Sequence, residues 1–243
     1  MEGALALTRP WHTLAREATA DGTLELRQRG ERDFLITLDG RVLMTSNAHR
    51  SEGALAAISL ARLGVRAAPR VLVGGLGMGF TLRAALDALP PDARVTVAEL
   101  HGCVVEWCRA PLAALTDSAV SDPRVRVETQ DVTRLIADGS SYDAIVLDLF
   151  VGPRGRADGD PLWGDAALAR TREALAEGGV FGVWSEAPDA AFAKRLRRAG
   201  FAVEKARPGH GGLRHVVYTA IRESDTRGDR RRGPGLRRRS SSR

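Results

Sequence analysis

A glycine-rich turn between two apolar segments constrains this chain more than any other feature. The apolar run 71–73 stops at a cluster of glycines, Gly74, Gly75, Gly77 and Gly79. A helix-like segment follows, and a second apolar run ends at Glu99. Glycine has no Cβ, so the backbone of such a turn can approach a ligand closely. The order strand, glycine turn, helix, strand and terminal acid predicts a nucleoside pocket in which Glu99 accepts hydrogen bonds from both ribose hydroxyls.

The spacing of the glycines indicates which nucleoside fits. The turn has the pattern GxGxG rather than the GxGxxG of dinucleotide-binding folds. A loose turn of alternate glycines suits the amino-acid end of S-adenosylmethionine, whereas a pyrophosphate favours a tighter turn and the helix N-terminus behind it. A tight strand-to-helix connection without a ligand is the alternative. No Lys-Ser or Lys-Thr pair follows the glycines, which excludes a Walker loop.

Strand-like and helix-like segments alternate through most of the chain. Apolar β-type runs lie at 70–73, 94–99, 125–129, 144–148, 180–185, 202–206 and 215–221, and helix-like segments lie at 81–89, 103–115, 133–137, 165–176 and 190–199. This pattern predicts an α/β fold, a Rossmann-like seven-stranded mostly parallel sheet of the class I methyltransferase type. The last two runs have no helix between them and should form an antiparallel hairpin at one edge.

The N-terminal segment has a different pattern. Short β-type runs between Thr23 and Thr45 are separated by RGE and by Asp39-Gly40, a strong hairpin signal. They predict a small antiparallel β lobe, followed by a helix over Ser51–Leu63. We therefore divide the chain into an N-terminal β-hairpin lobe (1–50), a Rossmann-like transferase domain that binds S-adenosylmethionine (51–222) and an arginine-rich tail (223–243).

The positive charge of the chain is concentrated in that tail. The net charge is +6, and the tail holds eight arginines against three acids. We expect the tail to be disordered because it has almost no apolar residues. It could contact nucleic acid electrostatically, or it could be a solvated extension without a role. The remaining chain shows no basic stripe, so nucleic acid is not an expected partner of the folded body.

The cellular compartment follows from segments that the sequence lacks. No apolar run reaches membrane-spanning length, and the first residues do not resemble a secretory signal. Cys103 and Cys108 lie five residues apart on a predicted helix, so they point in different directions and should stay reduced. These features predict a cytoplasmic protein without membrane contact. The five histidines show no metal-ligand spacing, so we expect no metal site.

Polar residues after the second and third strands are candidates for cofactor binding, because ligands lie across the carboxyl ends of such sheets. Leu100 follows Glu99 directly and is assigned to the cofactor with it. Asp131 is placed to accept a hydrogen bond from the adenine amino group, with the amide of Val132 facing a ring nitrogen. A helix N-cap is the alternative for Asp131, and the two roles can coexist.

Acids after the fourth and fifth strands are candidates for catalysis. Asp148 ends an apolar strand, where a carboxylate is costly unless it is used or paired. It could hold the ammonium of the cofactor or of a substrate amine; a turn-forming aspartate is the alternative. Glu186 is a weaker candidate proton acceptor. Both it and Glu52 could face the cleft, and the alternative for each is a surface or packing residue. Trp163 and Trp184 could form an aromatic wall for a sulfonium, or could pack in the core.

Four segments together resemble the polyamine aminopropyltransferases, the family of spermidine synthase: VLVGGLGMGFTLRAAL, VTVAELHGCVVEWCR, VRVETQDVTRLI and YDAIVLDLFVGP. The likeness extends over about Asp21 to Ile221. It implies a two-part fold, S-adenosylmethionine or its decarboxylated form as cofactor, and a homodimer. It also implies cofactor or substrate contacts for Gly75, Gly77, Gly79, Glu99, Asp131 and Asp148.

The chain departs from this family at positions that would handle a polyamine. Met78 stands where the glycine turn usually has an acid, and Val151 stands where the second aspartate of the catalytic loop, interpreted as the base, would lie. Leu43 replaces a glutamine, and Arg50-Ser51 replaces a Tyr-His pair. A polyamine carries at least two positive charges at neutral pH, so its site needs carboxylates and one base.

These departures lead us to expect a transferase that moves a methyl group, or less favourably an aminopropyl group, from S-adenosylmethionine to a small non-polyamine acceptor. One alternative is a true polyamine aminopropyltransferase that uses decarboxylated S-adenosylmethionine and takes its second acid from Asp158 or Asp160. The other is a catalytically inactive nucleoside-binding module. In the transferase hypotheses, the polar loop 151–163 could close over the site.

Overall fold

The computed structural model describes residues 9–47, 50–208 and 215–223. Four strands form an N-terminal antiparallel sheet in chain order: β1 (His12–Thr19), β2 (Gly22–Arg29), β3 (Asp33–Leu38) and β4 (Arg41–Thr45). The turn between β3 and β4 has positive φ at both Asp39 and Gly40. Two such residues match the right-handed twist of a hairpin, as the Asp-Gly pair predicts. We did not predict β1, whose side chains are mostly exposed and lack an apolar alternation.

The second sheet has seven strands: β5 (Arg70–Gly74), β6 (Arg94–Glu99), β7 (Val125–Thr129), β8 (Tyr142–Leu147), β9 (Leu175–Ser185), β10 (Phe201–Ala206) and β11 (Val216–Arg222). Their order is β10-β11-β9-β8-β5-β6-β7. Strands β5 to β9 pair in parallel, and β11 lies antiparallel between β9 and β10. The predicted α/β class, with a mostly parallel sheet and a small antiparallel lobe, is confirmed.

The described residues include six α-helices: α1 (Arg50–Leu60), α2 (Phe80–Ala88), α3 (Gly102–Arg109), α4 (Val132–Ala137), α5 (Asp165–Glu173) and α6 (Ala190–Arg198). The predicted helix over 103–115 is shorter than expected. It ends at Arg109, and a 3-10 turn follows at Ala113–Leu115. Pro111 lies between them, and proline can neither donate its backbone hydrogen bond nor fit a helix interior.

The seven-stranded sheet has a core on each face, because successive side chains of a strand point to opposite faces. Val71 and Val73 belong to one core together with Leu24 and Phe34 of the N-terminal sheet. Leu72 belongs to the other core, which includes buried side chains of α4, α5 and α6. The N-terminal sheet therefore packs on the same hydrophobic core as α2 and α3.

Several expectations concern residues outside the described ranges or stay predictions. The arginine-rich tail after Glu223 lies outside the described residues, and so does His210. The boundary between lobe and transferase domain at residue 50 stays a prediction, although α1 begins there. Within the described ranges, none of the helices combines the length and apolar character required to cross a bilayer.

Candidate active site

The glycine turn after β5 is packed against other parts of the protein. Gly75 has a φ of +88°, and a Cβ there would lie 2.3 Å from the carbonyl oxygen of Asp148. Glycine adopts this conformation without strain and leaves room for that carbonyl, so Gly75 lets the ends of β5 and β8 approach. A Cβ on Gly77 would lie 2.8 Å from Met44 Sδ of β4, and one on Gly79 would lie 3.4 Å from Thr116. Their contact with a nucleoside stays a prediction.

Glu99 is the buried acid at the end of β6, and it is 8% exposed. Its Oε2 accepts a hydrogen bond from the backbone N–H of Leu76 in the glycine turn, at 2.9 Å. Its Oε1 accepts from the N–H of His101, also at 2.9 Å. A carboxylate oxygen has two acceptor sites, so each oxygen can accept one further hydrogen bond. Glu99 therefore fixes the turn and still has the acceptor capacity that a ribose would need.

Asp148 follows β8, and its carboxyl group contacts one helix and interacts electrostatically with another. Thr81 Oγ1, in the first turn of α2, donates to Asp148 Oδ2 at 2.5 Å. Burial raises the pKa of Asp148 to about 6; the Thr81 hydrogen bond opposes this shift, and the negative charge of Glu52 on α1 adds to it. A carboxyl group with this pKa can accept a proton near neutral pH.

Asp131 and its neighbours lie at the carboxyl end of β7. Asp131 caps α4, since its Oδ1 accepts from the backbone N–H and the hydroxyl of Thr133, each at 2.8 Å. The N-cap interpretation is therefore confirmed, and the adenine role stays a prediction. The side chain of Val132 is buried and packs against Gly74, where an added Cβ on the glycine would clash with Val132. Leu100 is exposed directly after β6, and its contact with the cofactor stays a prediction.

The remaining candidates from the sequence have different environments. Glu186 is exposed directly after β9, and within the described ranges it forms no hydrogen bond or ion pair. Trp163 is buried and stacks edge-on with Phe192, which confirms core packing for this residue. Trp184 is half-buried, lies 4.9 Å from the ring of His215, and has a buried indole N–H without a partner among the described residues.

The residues that replace polar positions of the family are mostly in apolar surroundings. Met78 is completely buried, and Leu43 packs against the same core. Val151, in contrast, is exposed three residues after Asp148. Its neighbour Phe150 lies under the guanidinium of Arg41 from β4, at 5.2 Å from the ring centre.

The two acids proposed to replace the missing aspartate both have other partners. Asp160 Oδ1 accepts from the backbone N–H groups of Leu162 and Trp163. Asp158 pairs with Arg195 and Arg198 of α6. The Asp158 pairs attach the loop to α6. Neither acid is among the groups that shift the pKa of Asp148.

Thr81 is a contact of Asp148 that the sequence does not single out. It lies two residues after the last glycine of the turn, in a segment that we interpreted only as a helix. A hydroxyl in the first turn after a glycine loop, opposite an acid-terminated strand, is the signal that could have drawn attention to it.

Curated proteins similar to this chain share one name. The polyamine aminopropyltransferase of Shewanella oneidensis is 32% identical over 157 residues, which are 56% of this chain and 27% of that protein. The one of Prochlorococcus marinus is 35% identical over 123 residues, which are 50% of this chain and 42% of that protein. The chain thus spans less than half the length of these relatives. No family model matches it.

Solved structures extend the likeness to most of the chain. The crystal structure of spermidine synthase from Thermotoga maritima superimposes with a TM-score of 0.67 at 20% identity, covering 87% of this chain and 73% of that one. The fold is that of spermidine synthase. A spermidine synthase in complex with the transition-state analogue AdoDATO gives a TM-score of 0.66 at 21% identity, covering 86% of this chain and 72% of that one. The resemblance to the polyamine aminopropyltransferases is confirmed.

These similarities correct one expectation. Methyl transfer to a small non-polyamine acceptor is wrong as the leading hypothesis, because the curated relatives and the structural neighbours are named for polyamine aminopropyl transfer and spermidine synthesis. Met78 and Val151 do not leave this end of the sheet without acids, because Asp148 and Glu52, from distant segments, lie close enough for their charges to interact.

Proposed function

We propose that this protein is an aminopropyltransferase that uses decarboxylated S-adenosylmethionine and a polyamine-type acceptor. The observation that carries the proposal is the carboxyl group of Asp148, which lies at the carboxyl end of β8 beside Glu52 and has a pKa raised to about 6. In a sheet of this kind, ligands bind across the carboxyl ends of the strands. The similarity to curated polyamine aminopropyltransferases supports the same conclusion.

The residues present fit an adenosine-containing cofactor. Glu99 is fixed by two backbone N–H groups and keeps acceptor capacity for the two ribose hydroxyls. Asp131 uses only one of its oxygens to cap α4, so the other oxygen can accept from an adenine amino group. When bound, decarboxylated S-adenosylmethionine would supply an aminopropyl carbon activated by a sulfonium, whose sulfur leaves as a neutral thioether.

The acceptor amine must lose one proton, and Asp148 is placed to take it. A free alkyl ammonium has a pKa near that of lysine, about 10.4, so it needs a nearby base. Asp148 as carboxylate attracts the ammonium and accepts its proton, which leaves a neutral nitrogen with a free electron pair. The acceptor proton ends on the carboxyl group of Asp148 and passes from there to solvent, because Asp148 is partly exposed. Glu52 provides the second negative charge for a cationic acceptor.

The test is product analysis with the purified protein. Incubation with decarboxylated S-adenosylmethionine and 1,4-diaminobutane should release methylthioadenosine and an amine enlarged by one aminopropyl group, both detected by mass spectrometry. S-adenosylmethionine with the same amine should give no S-adenosylhomocysteine. A matched variant, Asp148→Asn, should bind the nucleoside and release no product. Nucleoside binding without any product in the wild type would support the inactive module instead.

Other expectations about this protein stay predictions. We propose a homodimer on the basis of the family resemblance and a cytoplasmic location on the basis of two unpaired cysteines, Cys103 and Cys108. Glu186 stays a secondary candidate for proton transfer, and its exposed position favours a role at the rim of the site. Sedimentation of the purified protein would test the dimer directly.

A further inference from the structure

The hydroxyl of Thr81 lies between two acceptors that belong to different elements. Its Oγ1 is 2.5 Å from Asp148 Oδ2, after β8, and 3.3 Å from the backbone carbonyl oxygen of Glu52, on α1. Thr81 is buried, with 2% of its surface exposed. A hydroxyl has one proton to donate and two lone pairs that can accept. It can therefore donate to only one of these two oxygens at a time.

The two possible arrangements correspond to the two protonation states of Asp148. When Asp148 is a carboxylate, it can only accept, so Thr81 donates to Oδ2. When Asp148 is protonated, its O–H can donate to Thr81 Oγ1, and the Thr81 proton can turn to the Glu52 carbonyl oxygen. Both arrangements leave the Thr81 hydroxyl and Asp148 Oδ2 hydrogen-bonded to each other, which avoids the cost of an unsatisfied buried hydroxyl at Thr81.

We propose that Thr81 is a positioning residue for aminopropyl transfer, which holds Asp148 in place and reverses its own hydrogen bond when Asp148 takes the proton of the acceptor amine. This inference rests on the proposed function. The proton moves from the ammonium nitrogen to Asp148 Oδ2, whose O–H then donates to Thr81 Oγ1 while the Thr81 proton turns to the Glu52 carbonyl oxygen. No oxidant or further reactant is needed.

The surroundings of Asp148 assign this role to Thr81 rather than to another polar group. Glu52 is the charged residue that acts on Asp148, and it acts through its negative charge. The turn after β5 presents backbone: the N–H of Asp148 donates to the carbonyl of Gly74, and Gly75 lies against the Asp148 carbonyl. The residues that follow, Leu149 to Val151, are apolar. Thr81 is the side chain that donates to the Asp148 carboxyl within the described ranges.

The experiment compares Thr81→Val, which keeps the shape and removes the hydroxyl, with Thr81→Ser, which restores it. Thr171→Val is the matched control, because Thr171 is also buried and helical, and its hydroxyl donates to the carbonyl of Ala167 on α5. Circular dichroism establishes that each variant folds. The Asp148 carboxyl is titrated by 13C NMR with labelled aspartate, and Asp148→Asn identifies its signal.

Thr81→Val should raise the titration midpoint of Asp148 by about one pH unit, since it removes one hydrogen bond to the charged form. The acidic limb of kcat/KM for aminopropyl transfer should move upward by the same amount. Thr81→Ser should return both towards the wild type, and Thr171→Val should move neither. A merely structural threonine would lower stability without moving either midpoint.

The outcomes separate this inference from the proposed function. An active wild type whose Asp148 midpoint is the same in Thr81→Val overturns the inference alone. An equal shift in Thr81→Val and Thr171→Val also overturns it. A wild type that transfers no aminopropyl group overturns the proposed function, and with it the catalytic meaning of Thr81, even if the NMR midpoint moves.

Discussion

Asp148 should make this protein less stable at neutral pH than it would be with an uncharged residue there. Its pKa rises from an ordinary 3.8 to about 6 in the folded state. A group whose folded pKa is raised favours folding below its unfolded pKa, and that contribution is lost as the pH rises through the folded pKa. The pKa shift is about two units, and at about 1.36 kcal/mol per unit the ionised carboxyl group of Asp148 destabilises the folded state by about 3 kcal/mol.

Asp148→Asn should remove this penalty, since an amide keeps the shape and can still accept from Thr81 through its oxygen. The free energy of unfolding, measured by urea denaturation from pH 4 to pH 8, should be nearly equal for the two proteins at pH 4. Above pH 6 the variant should be more stable by about 3 kcal/mol. Aminopropyl transfer should meanwhile be lost, a combination typical of a residue kept for function at a cost in stability.

The matched control is Asp138→Asn. Asp138 is exposed, and its Oδ1 accepts from the backbone N–H of Ser140 in a turn, an interaction that asparagine can also make. This variant should follow the wild type at every pH. If the stability difference between Asp148→Asn and the wild type does not change between pH 4 and pH 8, the ionised carboxyl is not penalised by burial, and the reasoning about Asp148 is wrong.

Three further predictions follow from other contacts of the site. Glu99→Gln leaves one of two backbone N–H groups without its acceptor, so the free energy of unfolding in urea should fall by about 1–3 kcal/mol. Binding of methylthioadenosine, measured by calorimetry, should be abolished. Unchanged affinity would refute the ribose assignment. Glu52→Gln removes a negative charge that raises the pKa of Asp148. The acidic limb of the pH profile of kcat/KM should therefore move to lower pH, and a shift to higher pH would contradict this role of Glu52. Gly75→Ala should be more destabilising than Gly155→Ala in thermal unfolding, because both have positive φ but only Gly75 would place its Cβ against a carbonyl oxygen; equal losses would show that the contact with Asp148 is unimportant.

The sequence alone determined the framework of this protein. The alternation of apolar runs and helix-like segments predicted the seven-stranded sheet, because buried parallel strands and the helices that cover them have different periods and lengths. The Asp39-Gly40 hairpin followed from backbone conformations that few other residue pairs adopt. Asp148 was identified because an acid directly after an apolar strand is costly unless it is used.

The tertiary structure decided which of these residues act together. Thr81, Glu52 and Asp148 lie on three separate segments, and their approach depends on how α1 and α2 pack against the end of β8. The pKa of Asp148 depends on burial and on a charge from α1, so it has no signature near residue 148 in the sequence. The spacing of the glycines predicts a turn that binds a ligand. In the fold, Gly75 also leaves room for the backbone carbonyl oxygen of Asp148. A sequence specifies local conformation at each residue, whereas distances between remote side chains follow only from the packing of the whole chain.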